Sequence, residues 1–152
     1  MSFVKALVSG LIGACTLTLI HETVRRLSPD APRMDLLGMR AISKSIRAAG
    51  GQPPDNRTLH TVSLVGDMLA NSLYYSLVGV GGEKGVWLRG AGLGMAAGLG
   101  GVMLPEPMGL GGEPSGRTNA TKVMTVGWYL AGALAAATAY RLMGMQQRQE
   151  NL

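Results

Sequence analysis

Cysteine is almost absent from this chain. Its one copy, Cys15, sits inside an apolar run, which excludes an intramolecular disulfide and any thiolate metal cluster. Aromatics are equally sparse, and no Phe, Trp or Tyr occurs between Val4 and Leu73. A groove for single-stranded nucleic acid interleaves stacking aromatics with its cations, so the basic stretch from Arg25 to Arg57 does not read as one, despite a net charge of +5. Charge itself is scarce, at 15% of residues against roughly 25% in soluble domains. Such a chain has too little charge for disorder and too little for an ordinary water-facing surface.

What is present is apolar and small. Hydrophobic residues make up 47% of the 152 positions, and 23 positions are Gly. The length suits one domain. Four apolar segments stand out, at about 3–20, 58–80, 86–104 and 121–143. Each is about as long as the ~20 residues a helix needs to cross hydrocarbon. The first rivals a signal peptide, but no small-residue cleavage site with a polar start after it is evident, and an uncleaved span is favoured. Ile12-Gly13-Ala14-Cys15 loosely resembles a bacterial lipobox. The apolar run continues through Thr16 to Ile20, so Cys15 is read as packing.

Between the first two segments, Ser28-Pro29-Asp30-Ala31-Pro32 breaks the helix, with Asp30 the expected N-cap of the next one. From about 33 to 49, Met34, Leu37, Ala41, Ile42, Ile46 and Ala49 keep helical spacing, and Arg33, Arg40, Lys44 and Arg47 share the other side. This is an amphipathic basic helix, suited to an interface where its cations contact anionic lipid headgroups. The plainer alternative is a helix packed on a soluble core. Gly50-Gly51 ends it, and Pro53-Pro54 prevents its resumption.

The second segment carries His60, Ser63, Asp67, Asn71 and Tyr74 at steps of three, four, four and three. On a helix they form one polar stripe. An acid inside a span costs about 2.5–3.5 kcal/mol on insertion scales, and such groups face protein or water. Asp67 is therefore the sharpest candidate for an ion or substrate contact, with His21 and Glu22 as possible partners from the first segment. Inert polar packing accounts for the same spacing.

A short glycine-bounded turn around Glu83-Lys84 is expected to leave the second and third segments as antiparallel neighbours. In the third, Gly90, Gly94 and Gly98 repeat every four residues. That ladder makes a flat face on which another backbone can approach closely, and its expected partner is a second membrane subunit or another copy of the chain. Trp87 and Arg89 read as interfacial anchors, the arginine snorkelling. A Gly/Pro-rich loop covers 105–118 and is read as a hairpin rather than a lid. Residues 146–152 read as a polar tail.

Motifs of chemistry are missing at the spacing they require. His21-Glu22 begins a zinc motif, but Arg25 stands where the second histidine belongs. The glycines near Gly90 lack a Lys-Ser/Thr after them for phosphate, and no serine sits in a nucleophile elbow. No cofactor or metal is expected. The ten methionines read as core filler.

The fold expected is an all-α polytopic membrane bundle of one domain, with about four transmembrane helices and one amphipathic interfacial helix. The expected function is that of a non-enzymatic accessory or structural membrane subunit; a small transporter or channel built on the Asp67 stripe is the alternative. Arg25, Arg26, Arg33, Arg40, Lys44, Arg47, Arg57, Arg117 and Lys122 fall in the first and third inter-segment loops. By the positive-inside rule these loops, including 21–57, are cytoplasmic at the inner membrane and both termini lie outside. Two glycosylation sequons, at Asn56 and Asn119, then face the cytoplasm and are read as chance.

Overall fold

The computed structural model describes residues 3–149, apart from the side chain of Arg148. All regular structure among them is helical, with no strand. The elements are α1 (Phe3–Val24), α2 (Met34–Ala48), α3 (Asn56–Ser76) with a 3-10 turn at its end (Leu77–Gly79), α4 (Val86–Met103), the single-turn α5 (Glu113–Gly116) and α6 (Asn119–Gln149). At 1.5 Å per residue the four long helices run roughly 33, 31, 27 and 46 Å. The segment expected as a polar tail from 146 is helical as far as Gln149.

Among the described residues two helices are long and apolar enough to cross a membrane, Phe3–Val24 and Asn119–Gln147. The polar stripe dilutes the hydropathy of α3, and Arg89 with its neighbouring glycines dilutes that of α4.

The long helices alternate in direction and stand in the order α3, α1, α6, α4. A Cβ on Gly13 of α1 would lie 2.6 Å from the Gly132 carbonyl oxygen of α6, and one on Gly10 would lie 2.7 Å from the Ser76 amide of α3. The glycine ladder of α4 is used in the same way inside the chain. A Cβ on Gly94 would come within 2.6 Å of Leu130 Cα, and one on Gly98 within 2.6 Å of Val126 Cα, both on α6; Gly90 meets Ala137 and Ala133. Gly90, Gly94 and Gly98 are thus helix-packing residues, but this face is occupied by α6 rather than left open for a second subunit.

The expected pairing of α3 with α4 is not the one adopted. The turn between them is short, but α4 packs on α6 while α3 packs on α1. Tyr74 Oη, donating to the Leu93 carbonyl at 3.0 Å, bridges α3 and α4, and away from that bridge a groove opens between them. Arg89 folds back onto the turn instead of reaching outward. Its guanidinium donates to the carbonyls of Val78 (3.0 Å), Lys84 (2.6 Å) and Gly82.

Small and polar residues fill the interior: Ser9, Ala14, Thr125, Ala133, Ala136 and Ala137 are fully buried, around Leu17, Tyr75 and Tyr140. Most of the large aliphatics face outward. On α3 these are Val62, Val65, Leu69 and Leu73, with Leu69 61% exposed; on α4 they are Leu88, Met95, Leu99 and Met103, with Leu88 80% exposed; on α1 they include Val4, Val8, Leu11, Ile12 and Leu19.

At one end of the bundle, Lys5 is buried, paired with Glu83 at 3.1 Å and 4.2 Å above the Tyr140 ring. At the other, α2 and the 105–118 loop close over the helix ends. Asp30 does not cap α2: Arg33 occupies the cap without a side-chain bond, and its amide donates to the Pro114 carbonyl. Asp30 instead receives Thr118 Oγ1 at 3.4 Å and lies 3.9 Å from Arg117, tying the breaker to the start of α6. Asp55 caps α3, accepting from the amides of Arg57 and Thr58. These bonds, led by the Thr58 amide, hold its carboxyl below the ordinary range.

Candidate functional site

Where α1, α2 and α3 meet, the helices enclose a cavity of about 30 Å³, lined by Thr18, His21, Met34, Asp35, Ser63, Leu64 and Asp67. A water needs about 10–15 Å³ measured this way, so one or two fit. Thr18 and His21 are one helical turn apart on α1, and Ser63 and Asp67 one turn apart on α3, which aims both pairs at the same space. His21 is 8% exposed. Its ring lies 4.9 Å from Trp128 and 6.0 Å from Tyr129, centroid to centroid. Two buried polar atoms lining this cavity, His21 Nε2 and Thr18 Oγ1, have no hydrogen-bond partner among the described residues. Leaving a buried polar atom unpaired costs about 1–3 kcal/mol, so a polar guest here is favoured.

α2 is held over the cavity by its small residue and its acid. A Cβ on Gly38 would collide with the Ser63 hydroxyl, and that hydroxyl donates to the Asp35 carbonyl at 3.4 Å. The Asp35 carboxylate takes both bonds of a two-pronged pair with Arg33, at 2.9 and 2.7 Å. Burial alone would raise the Asp35 pKa, but the Arg33 hydrogen bonds and the charges of Arg33 and Arg25 outweigh it and hold the group below its usual range.

Of the expected stripe, Ser63 and Asp67 line the cavity. Asn71 and Tyr74 face the groove between α3 and α4, where Asn71 Nδ2 also donates to the Asp67 backbone carbonyl at 2.9 Å. His60 is half-buried one turn away. Of the two partners expected from the first segment, His21 arrives and Glu22 does not. Glu22 turns to the residues just after α1, accepting two bonds from Arg25 at 2.8 and 2.6 Å and lying 3.7 Å from Arg26. Thr18 and Asp35 join the site from outside the expected set. Thr18 is legible as the residue three before His21; Asp35 lies on α2, whose docking against α3 no periodicity reveals.

A second polar feature is a cleft of about 490 Å³ bordered by Arg40, Lys44 and Arg47 of α2 and by Asn56, Leu59 and Gly109. Arg40 donates to the Leu110 carbonyl at 2.6 Å and Lys44 to the Met108 carbonyl at 2.5 Å. The basic face of α2 thus seats the 105–118 loop, and Arg33 is taken by Asp35. No group of three or more His, Cys, Asp or Glu among the described residues has the geometry of a metal site. Comparison with protein-family models, curated proteins and solved structures gives no match to this chain.

Proposed function

We propose that this chain is a small integral membrane protein whose four long helices all cross one bilayer, and that it serves as a non-enzymatic accessory or structural subunit. One observation carries the membrane reading: Leu, Val and Met ring the outside of α1, α3 and α4 while Gly, Ala, Ser and Thr fill the inside. In water, that distribution would forgo the burial of large side chains that drives folding. In lipid it is the favourable one, because close backbone approach replaces hydrophobic burial as the source of cohesion. The clustering of Arg25, Arg26, Arg33, Arg40, Lys44 and Arg47 at one end of the bundle supports an orientation with that end in the cytoplasm of the inner membrane and the termini outside.

The non-enzymatic part is supported by the size of the cavity. Its imidazole, acid and hydroxyls enclose room for one or two waters, and neither the basic cleft nor the α3–α4 groove, which are large enough for an organic molecule, is lined by an acid or an imidazole among the described residues. Extraction from native membranes in a mild detergent, with sizing of the extract, tests the role. A stoichiometric companion, or a stable homo-oligomer, is expected. A monodisperse single 15.8 kDa chain would refute the subunit role.

The unpaired His21 and Thr18 atoms beside Asp67 favour a second reading, a small transporter or channel that passes a proton or small cation through this cavity. Under it, Asp67→Asn abolishes flux in reconstituted vesicles with the fold intact. Unchanged flux removes that reading.

A further inference from the structure

We propose that the chain carries a specific site for one anionic phospholipid, with the headgroup in the cleft beside Lys44 and Arg47 and an acyl chain in the groove between α3 and α4. The inference rests on the membrane reading and adds a defined ligand to it. Two cavities that look separate share one wall. The groove, about 530 Å³, is lined mainly by small and apolar side chains, among them Ala70, Ala97, Gly100 and Leu104, and ends at Met108 and Leu110. The basic cleft is bordered by Gly109, in the same turn, and Lys44 and Arg40 hold that turn by its Met108 and Leu110 carbonyls. A cationic pocket and an apolar slot therefore meet across three loop residues, at the end of the bundle where α3 begins and α4 ends.

The groove's shape selects a lipid over a partner helix. The Tyr74 to Leu93 bond closes its far end, so an occupant entering from the loop must stop part-way along the bundle. An acyl chain ends there; a transmembrane helix needs a slot of full length. Charge selects an anionic head. Lys44 and Arg47 are exposed, and no ion pair involves either among the described residues. Arg40 has Glu113 at 3.6 Å and contributes less. Of the nearby acids, Asp55 is committed to capping α3 and Glu106 to the Gly112 amide at 2.6 Å. A phosphate would thus meet two cations that have no ion pair among the described residues, Lys44 through the N–H bonds it does not give to Met108, and Arg40 as a partly neutralised third.

The test is competitive binding to the full chain in mild detergent, read by native mass spectrometry, with phosphatidylglycerol and phosphatidylcholine of identical chains and with free glycerol phosphate. Phosphatidylglycerol should bind one per chain and be preferred over phosphatidylcholine. The double substitution K44A/R47A should weaken phosphatidylglycerol about thirtyfold and phosphatidylcholine much less, the latter only through loss of the Lys44 bond to the Met108 carbonyl. Gly100→Leu, whose Cβ would meet only the flexible end of Leu104 at 3.4 Å, fills the slot and should weaken both lipids without altering cation chemistry. Equal binding of the two lipids by the wild type, or of phosphatidylglycerol by K44A/R47A and wild type, overturns the headgroup site. Free glycerol phosphate binding as tightly as the lipid, or Gly100→Leu having no effect on either lipid, overturns the groove. Gly100→Leu dissolving a dimer with no lipid preference assigns the groove to a helix instead. Soluble behaviour without detergent would fail the membrane reading itself, an outcome distinct from all of these.

Discussion

The α4–α6 interface and the α1–α2–α3 junction hold the molecule together by opposite means. At the first, three glycines on one face bring two backbones into contact, and what each glycine meets is mostly main chain or a Cβ, which cannot yield. At the second, helices meet through polar atoms: Gly38 and the Asp35 carbonyl of α2 against the Ser63 hydroxyl of α3, beside a cavity where His21 and Thr18 are left unpaired. The first region maximises packing. The second gives up packing to keep polar atoms inside.

That contrast is broken most severely at the glycines. Gly94→Leu should cost about 3 kcal/mol or more, since overpacking a site walled by backbone cannot be relieved by rotamer change. Reversible denaturation in mixed micelles measures it, and no substitution of a neighbouring side chain should restore the loss. At the polar junction the corresponding experiment should behave differently. Gly38→Ala should cost about 1–2 kcal/mol, and Ser63→Ala combined with it should recover most of that, because the obstructing atom is a removable hydroxyl. A double-mutant cycle showing no coupling would erase the distinction between the two regions.

A smaller effect concerns acid. The folded-state pKa of Asp35 is depressed, so its contribution to stability is present above the ordinary carboxylate range and lost as pH falls through the depressed value. Melting temperature should therefore drop on acidification below about pH 4, and Arg33→Gln, which leaves Asp35 only weaker partners, should reduce that slope. Smallest of all is Thr18→Val, which removes an orphaned hydroxyl at constant shape. It should change stability by about 0.5 kcal/mol or less, in either direction. A loss well above that would mean that the hydroxyl has a tightly held guest.

Much of this fold is legible in the sequence, for physical reasons that differ by element. The ends of α2 and the start of α3 lie near their expected positions because Gly50-Gly51 and the prolines at 29, 32, 53 and 54 leave the backbone few options. The inward turn of Ser63, Asp67 and Asn71 is a consequence of 3.6-residue spacing alone. Topology is not legible in this way. A short turn argues for neighbouring helices, yet α4 packs on α6, where its glycine ladder meets the small residues Ala133 and Ala137. The contacts of Gly10 and Gly13 in α1 are also hidden, since two glycines three apart in an apolar run look like composition until a partner is seen. The basic face of α2 is visible as a pattern, but spacing assigns all of it to lipid; loop carbonyls, whose acceptors have no sequence signature, take part of it.

The central claim is that the aliphatic perimeter faces lipid. Single cysteines introduced as Leu69→Cys and Leu99→Cys in a Cys15→Ser background, beside Gln52→Cys in the segment linking α2 and α3, can be probed in intact membranes by a spin label's access to oxygen and to a water-soluble nickel chelate. Labels at Leu69 and Leu99 should be open to oxygen and closed to the chelate, with the label at Gln52 the reverse. Chelate access at Leu69 and Leu99 equal to that at Gln52 would contradict the account.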